Sequence, residues 1–180
     1  WLEEVLPHGD VSEIAIAEKL QQFRAAQEGF VDISFDTIAG YQAHGALPHY
    51  KATPTSNAQL RTDGLLLVDS GGQYTSGTTD ITRVVSLGNA TVSEKGDYTI
   101  VLKGLIEGSM AVCPEGTRGY QIDAITRRPM WETHRNYGHG TGHGVGFFLN
   151  VHEGPQVLNP ANIDVAIEEG MISSIEPGLY

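Results

Sequence analysis

The stretch Gly138-His139-Gly140-Thr141-Gly142-His143-Gly144-Val145-Gly146 sets two imidazoles four residues apart among five glycines. On a helix that spacing would put both rings on one face, as in zinc sites. So many glycines make a helix too costly, so the backbone must bend sharply and come close to something. A metal or substrate loop is one reading and a solvated turn is the other. Asn150-Val151-His152-Glu153-Gly154-Pro155 adds a third histidine beside an apolar strand. Asp69 closes the apolar run Leu65–Val68, and Asp80 lies in a β-branched stretch beyond a Ser70-Gly71-Gly72 turn. A hairpin that brings two carboxylates together makes them repel unless cations lie between them. The plainer alternative is that each bonds a turn or pairs an arginine, with Arg83 close by. Glu176, before Pro177-Gly178, ends another strand-like run. Carboxylates plus imidazole suit Mn²⁺, Co²⁺, Zn²⁺ or Fe²⁺, and the lack of thiolates disfavours a structural zinc site.

These residues need elements to carry them. Asp10 and Glu13 have capping-box spacing, which predicts a helix over Val11–Glu28 with Ile14, Ala17 and Leu20 as its apolar stripe and Gly29 as its stop. Gly64–Asp69 reads as a buried strand that delivers a carboxylate, and Thr78–Val85 as its returning partner. Ser93 reads as the N-cap of a second helix running to about Cys113, with Gly104 and Gly108 weakening it. A third helix is expected at about Tyr120–His134, and a strand at Met171–Glu176. Helix, strands, two helices, strands is an α+β order with a mostly antiparallel sheet and helices on one side. No repeat, linker or phosphate-binding glycine loop is present.

Composition narrows the function. The 180 residues fit one domain or a piece of a larger one. A net charge of −11 argues against a nucleic-acid backbone as partner. No apolar run approaches the roughly 20 residues of a membrane helix. The N-terminus lacks the basic and apolar regions of a secretory signal, which favours a cytoplasmic location. The single Cys113, in Met110-Ala111-Val112-Cys113, reads as a buried structural thiol.

In order, Asp69-Ser-Gly-Gly-Gln-Tyr, Gly-Thr-Thr-Asp80-Ile-Thr-Arg, His139-Gly-Thr-Gly-His143-Gly-Val-Gly, Asn-Val-His152-Glu-Gly-Pro and Glu176-Pro-Gly resemble the motifs of the pita-bread (creatinase/aminopeptidase) metallopeptidases. Within them the chain is most similar to the Xaa-Pro aminopeptidases (aminopeptidase P) of the multidomain, cytosolic type. The resemblance spans nearly the whole chain. It implies a dinuclear site with two divalent ions, Mn²⁺ first and Co²⁺ or Zn²⁺ as alternatives. Asp69 would bind one ion, Asp80 would bridge both, and His143 and Glu176 would bind the other.

The resemblance further implies that His49, in Pro48-His49-Tyr50, contacts substrate, as would His143 and His152. His139, His152 and Glu176 would be the catalytic set, with His152 nearest the scissile carbonyl. His44 matches no functional position, and His8 and His134 are expected on the surface. The implied reaction releases the first residue from peptides with proline at position two. The alternatives are an Xaa-Pro dipeptidase (prolidase), a metal-free creatine-cleaving relative, or a non-catalytic peptide-binding relative. A homodimer is the family expectation. The family also has N-terminal domains and a second bridging glutamate on a downstream strand. Residues 1–180 are therefore expected to be a metallopeptidase catalytic domain truncated at its C-terminal strands.

Overall fold

The computed structural model describes residues 1–161 and 164–180. They fall into two compact units, Trp1–Ala90 and Thr91–Tyr180.

The first unit contains α1 (Leu2–Val5), α2 (Glu13–Ala25), β1 (Phe30–Ile33), β2 (Ile38–Tyr41), β3 (Leu65–Ser70), β4 (Gly72–Tyr74), β5 (Gly77–Thr78) and β6 (Ile81–Ser86). Its two three-stranded sheets have the orders β1-β4-β5 and β2-β3-β6, antiparallel throughout. The apolar run Leu65–Val68 forms the central strand of the second sheet, where Leu66 is fully buried. Val11, Ile16, Ala39, Tyr41, Leu60 and Leu66 make the core, with Leu20 and Val68 packed against it.

Two local expectations fail here. The cap of α2 is Ser12, whose hydroxyl accepts from Ala15 N, while Asp10 lies outside the helix with φ of 64°. Glu13 does not reach back to a cap, because its side chain is buried and takes other donors. The buried helix face accordingly runs through Glu13 and Ile16 rather than Ile14 and Ala17, and the helix ends at Ala25. The returning strand is also interrupted. Thr79 and Asp80 separate β5 from β6, because Thr79 bonds back to Gly72 instead of continuing a ladder.

The second unit contains α3 (Val92–Ser109), α4 (Gly119–Trp131), β7 (Gly142–His143) and β8 (Val157–Leu158), the last two paired antiparallel. The cap of α3 is Thr91, not Ser93. Thr91 Oγ accepts from Glu94 N and Glu94 accepts from Thr91 N, a complete capping box. Gly104 and Gly108 are not weak points. A Cβ at Gly104 would sit 2.4 Å from Thr126 O, and one at Gly108 2.3 Å from Thr126 Oγ1, so bare backbone lets α3 and α4 meet. Cys113 is exposed rather than buried, in a segment where Val112 is fully exposed and Met110 nearly so. α4 stops at Trp131 rather than His134. Met171–Glu176 is extended, but bridged only at Gly144–Ser173 instead of forming a full strand.

Candidate metal centre

In the first unit, strand register sets Asp69, and Asp80 follows from the break before β6. Asp69 lies opposite Ile38 of β2 and Thr82 of β6, half-buried near the end of β3. Arg24 of α2 fastens that end, its Nη2 donating to Ser70 O at 3.1 Å and Ser70 Oγ at 2.9 Å. Asp80 is half-buried in the break between β5 and β6, directly before Ile81, which pairs with Ser70 next to Asp69. The residue before it is held on three sides. Thr79 N donates to Gly72 O, Thr79 Oγ1 accepts from Gly72 N, and Thr79 O accepts from Ser34 Oγ. The Arg83 Nη1 donates to its neighbour's carbonyl, Thr82 O, at 2.7 Å. His49 is exposed in a turn closed by Tyr50 N donating to Leu47 O, while the adjacent Tyr50 is buried.

In the second unit, loops carry the histidines and the geometry is set by contacts. His143 Nδ1 lies 2.9 Å from Gly144 O, an acceptor only. Nδ1 therefore carries a proton, and the ring is oriented so that Nε2 is the nitrogen turned to Glu176 and available to a metal. Glu176 Oε1 lies 3.0 Å from that Nε2. The two residues are joined through backbone as well. His143 N donates to Ser174 Oγ, Ser174 N donates to His143 O, and Glu176 N donates to Thr141 O. The His152 ring, exposed, meets the His143 ring edge to face with centroids 4.1 Å apart. Burial alone would raise the Glu176 carboxyl. Hydrogen bonds from His143 and Ser174 and the charges of His143 and His152 outweigh it and hold the group below the usual glutamate range. His143, His152 and Glu176 thus form one cluster, with an imidazole nitrogen and a carboxylate oxygen presented together as a divalent ion requires.

His139 is held by separate contacts. Its Nδ1 faces Gly140 O at 2.8 Å, so its Nε2 accepts from the Tyr180 hydroxyl at 2.9 Å. The loop that carries it is fixed by Arg127 of α4. This buried guanidinium pairs with Asp123 at 2.8 Å and donates to Asn136 Oδ1, Tyr137 O and His139 O. Asp123 in turn accepts from Thr141 Oγ1 at 2.6 Å, and Arg127 stacks over the Tyr137 ring at 3.8 Å. The glycines serve close approach. A Cβ at Gly142 would lie 2.0 Å from Ser174 O, and one at Gly144 2.0 Å from Glu153 O.

His8 and His134 are exposed, as expected. His44, which matched no functional position, is bound to Glu13. Sequence reasoning missed Ser174, Tyr180, Arg127 and Glu13. Only Asp123 and Arg127 carried a local signal, the i,i+4 spacing of an acid and a base on a helix.

The model of metallopeptidase family M24 matches residues 1–180. Aminopeptidase P2 of Arabidopsis thaliana is 47% identical over the whole chain, and Xaa-Pro aminopeptidase 2 of Sus scrofa 46%. The chain spans 26% of each of those proteins. Among solved structures, X-prolyl aminopeptidase of Caenorhabditis elegans, described as a cytosolic enzyme with a di-nuclear active site, superposes with a TM-score of 0.94 at 40% identity. It is matched over all of this chain and 30% of its own. Prolidase from Pyrococcus furiosus follows at 0.82 and 29%, over 93% of this chain and 48% of its own. The pita-bread fold expected from the motifs is the fold shared with these structures. The chain belongs to metallopeptidase family M24.

Proposed function

We propose that the chain is part of the catalytic domain of a metal-dependent Xaa-Pro aminopeptidase, which releases the first residue from peptides with proline at position two. The observation that carries the reading is the His143–Glu176 pair, with an imidazole Nε2, oriented by the Gly144 carbonyl at Nδ1, 3.0 Å from a carboxylate oxygen. Identity of 46–47% to Xaa-Pro aminopeptidases, against 29% to a prolidase, favours aminopeptidase over dipeptidase. The proposed ligands are Asp69, Asp80, His143 and Glu176. When bound, two divalent cations, Mn²⁺ first and Co²⁺ or Zn²⁺ in its place, supply Lewis acidity and an acidified water.

The chain's own residues do the rest. Glu176, held in its basic form, takes a proton and returns it to the leaving proline nitrogen. His152, exposed beside His143, donates to the scissile carbonyl oxygen as charge develops there. His139 completes the catalytic set, and His49 holds the peptide. The protein is proposed to act in the cytoplasm as a homodimer. Among the described residues no helix is long and apolar enough to cross a membrane.

The test is hydrolysis by the Mn²⁺-loaded protein at its natural length. Release of the first residue from an Xaa-Pro-Xaa tripeptide, abolished by chelator and by Asp80→Asn, is the expected result. Cleavage of Xaa-Pro dipeptides alone would make it a prolidase, and no cleavage of either would make it a binding relative. His152→Ala should lower kcat roughly 100-fold while bound metal is retained. Loss of metal instead would make His152 a ligand.

A further inference from the structure

Glu13 has a fully buried carboxylate that the proposed chemistry does not use. Four groups converge on it. Tyr41 N donates to Oε1 at 2.8 Å, and His44 Nδ1 lies 2.8 Å from the same oxygen. Ala58 N donates to Oε2 at 2.9 Å, and the Tyr50 hydroxyl lies 2.7 Å from it. The Tyr50 hydroxyl also lies 3.0 Å from Ser56 O, but it has one proton, and the shorter contact to a charged acceptor takes it. Burial would raise this carboxyl, yet the two backbone N–H groups, Tyr50 and His44 together hold it below the usual glutamate range.

The four donors are not scattered along the chain. Tyr41 ends β2, and Ala58 closes the long excursion that follows. His44 lies in the first turn of that excursion and Tyr50 in its middle, so one carboxylate binds both ends and two interior points of a single loop. Two more bonds double the far end, with Glu13 N donating to Ala58 O and Ile14 N to Asn57 Oδ1. The His44 ring stacks on Tyr50 at 4.4 Å, which closes the arrangement on itself. At its tip the loop carries His49, exposed and directly before the buried Tyr50. A ring anchored at Tyr50 fixes where the neighbouring imidazole starts and which way it leaves the surface.

We infer that Glu13, acting through Tyr50 and His44, is a positioning residue that sets the placement of His49 for peptide binding. The inference rests on His49 contacting substrate, as proposed above. Glu13 itself touches no substrate. A carboxylate suits the task because it accepts from several donors without offering one, so every bond pulls the loop to the same point.

The experiment is a double-mutant cycle in the Mn²⁺-loaded protein at its natural length, with an Xaa-Pro-Xaa tripeptide as substrate. The variants are Tyr50→Phe, His49→Ala and the pair, with bound metal measured for each. Tyr50→Phe removes one hydroxyl and leaves the other donors to Glu13 in place. It should raise KM roughly tenfold, as misplacement of a binding group does, with kcat and metal content held. Added to His49→Ala it should raise KM no further, because the group it positions is already gone. A purely structural Glu13 would not produce that non-additivity. Multiplicative effects, or an unchanged KM in Tyr50→Phe beside a raised KM in His49→Ala, would overturn the inference. An unchanged KM and kcat in His49→Ala alone would show that the reading of His49 is wrong, and the inference would fall with it. If Tyr50→Phe melts below the assay temperature, His44→Ala runs the same cycle, since that ring is partly exposed and touches both Glu13 and Tyr50.

Discussion

The two units hold their candidate site residues by different means. In Trp1–Ala90 Asp69 rides on sheet register, fixed by β3 being hydrogen-bonded on both edges, and Asp80 stands directly before β6. In Thr91–Tyr180 the strand that carries His143 is two residues long, and it is paired with β8 on one side and bonded to the Ile172–Glu176 segment on the other. There a buried arginine, a buried aspartate and bare glycine backbone reinforce these short pairings. Backbone register is generic and tolerates many side chains. A loop held by a guanidinium fork depends on single atoms, so the second unit should be far more sensitive to point substitution.

Arg127→Met tests this most severely. It leaves Asp123 buried without its counter-charge and removes the donors to Tyr137 O and His139 O. Breaking one side of a buried ion pair costs about 3–5 kcal/mol. Chemical denaturation should show a loss of that size, and amide exchange at residues 138–144 should accelerate first. A loss under about 1 kcal/mol, the range of a surface pair, would erase the contrast between the units.

Glu13→Gln asks whether the first unit has one comparable dependence, at the His49 loop. A glutamine must turn an amide N–H toward donors on one side, so near neutral pH the cost should be about 2–3 kcal/mol. The folded carboxyl lies below its ordinary 4.5, so its stabilisation is present above that value and lost as pH falls through the lowered folded value. Glutamine does not titrate. The gap in unfolding free energy between wild type and variant should therefore close on acidification through that window. A gap that is constant with pH would mean that the charge of Glu13 contributes nothing.

Gly142→Ala probes the bare backbone of the second unit. Its Cβ would stand 2.0 Å from Ser174 O, and backbone on that side cannot swing away as a side chain can. Overpacking of this kind costs typically about 1–3 kcal/mol. Metal affinity should fall with it, because the same contact sets the spacing of His143 and Glu176. Denaturant unfolding reads the first effect and a calorimetric titration with Mn²⁺ the second, both on the protein at its natural length.

What the sequence disclosed follows the same division. Leu65–Val68 announced a buried strand and Asp69 its polar end, because β signals are local. The glycine count ruled out a helix through His139 and His143 for an equally local reason. Glu13 misled because its capping-box spacing was genuine, yet its partners lie 28 to 45 residues away, beyond any local pattern. Arg127 could be paired with Asp123 by spacing, but nothing local showed that its fork reaches two loop carbonyls. Cys113 shows that apolar neighbours do not imply burial, since it is exposed and Val112 beside it is fully exposed.

The helix caps give the smallest test, and each unit supplies one. Ser12 and Thr91 both accept from the backbone N–H three residues on, but only Thr91 has the reciprocal bond, from its own N–H to Glu94. The sequence held the deciding mark. Glutamate stands three residues after Thr91, whereas Gly96 stands three after Ser93 and cannot reach back. Thr91→Ala should therefore cost about 1 kcal/mol in denaturant unfolding. Ser93→Ala, at an exposed position inside the first turn, should stay within about 0.5 kcal/mol of wild type. Equal losses from the two would return the cap to Ser93. A larger loss from Ser12→Ala than from Thr91→Ala would follow from burial, since Ser12 is 9% exposed and its hydroxyl removal strands a sheltered N–H, while water can replace the exposed Thr91. The number of bonds ranks Thr91 first and shelter from water ranks Ser12 first, so the pair measures which of the two governs a cap in this fold.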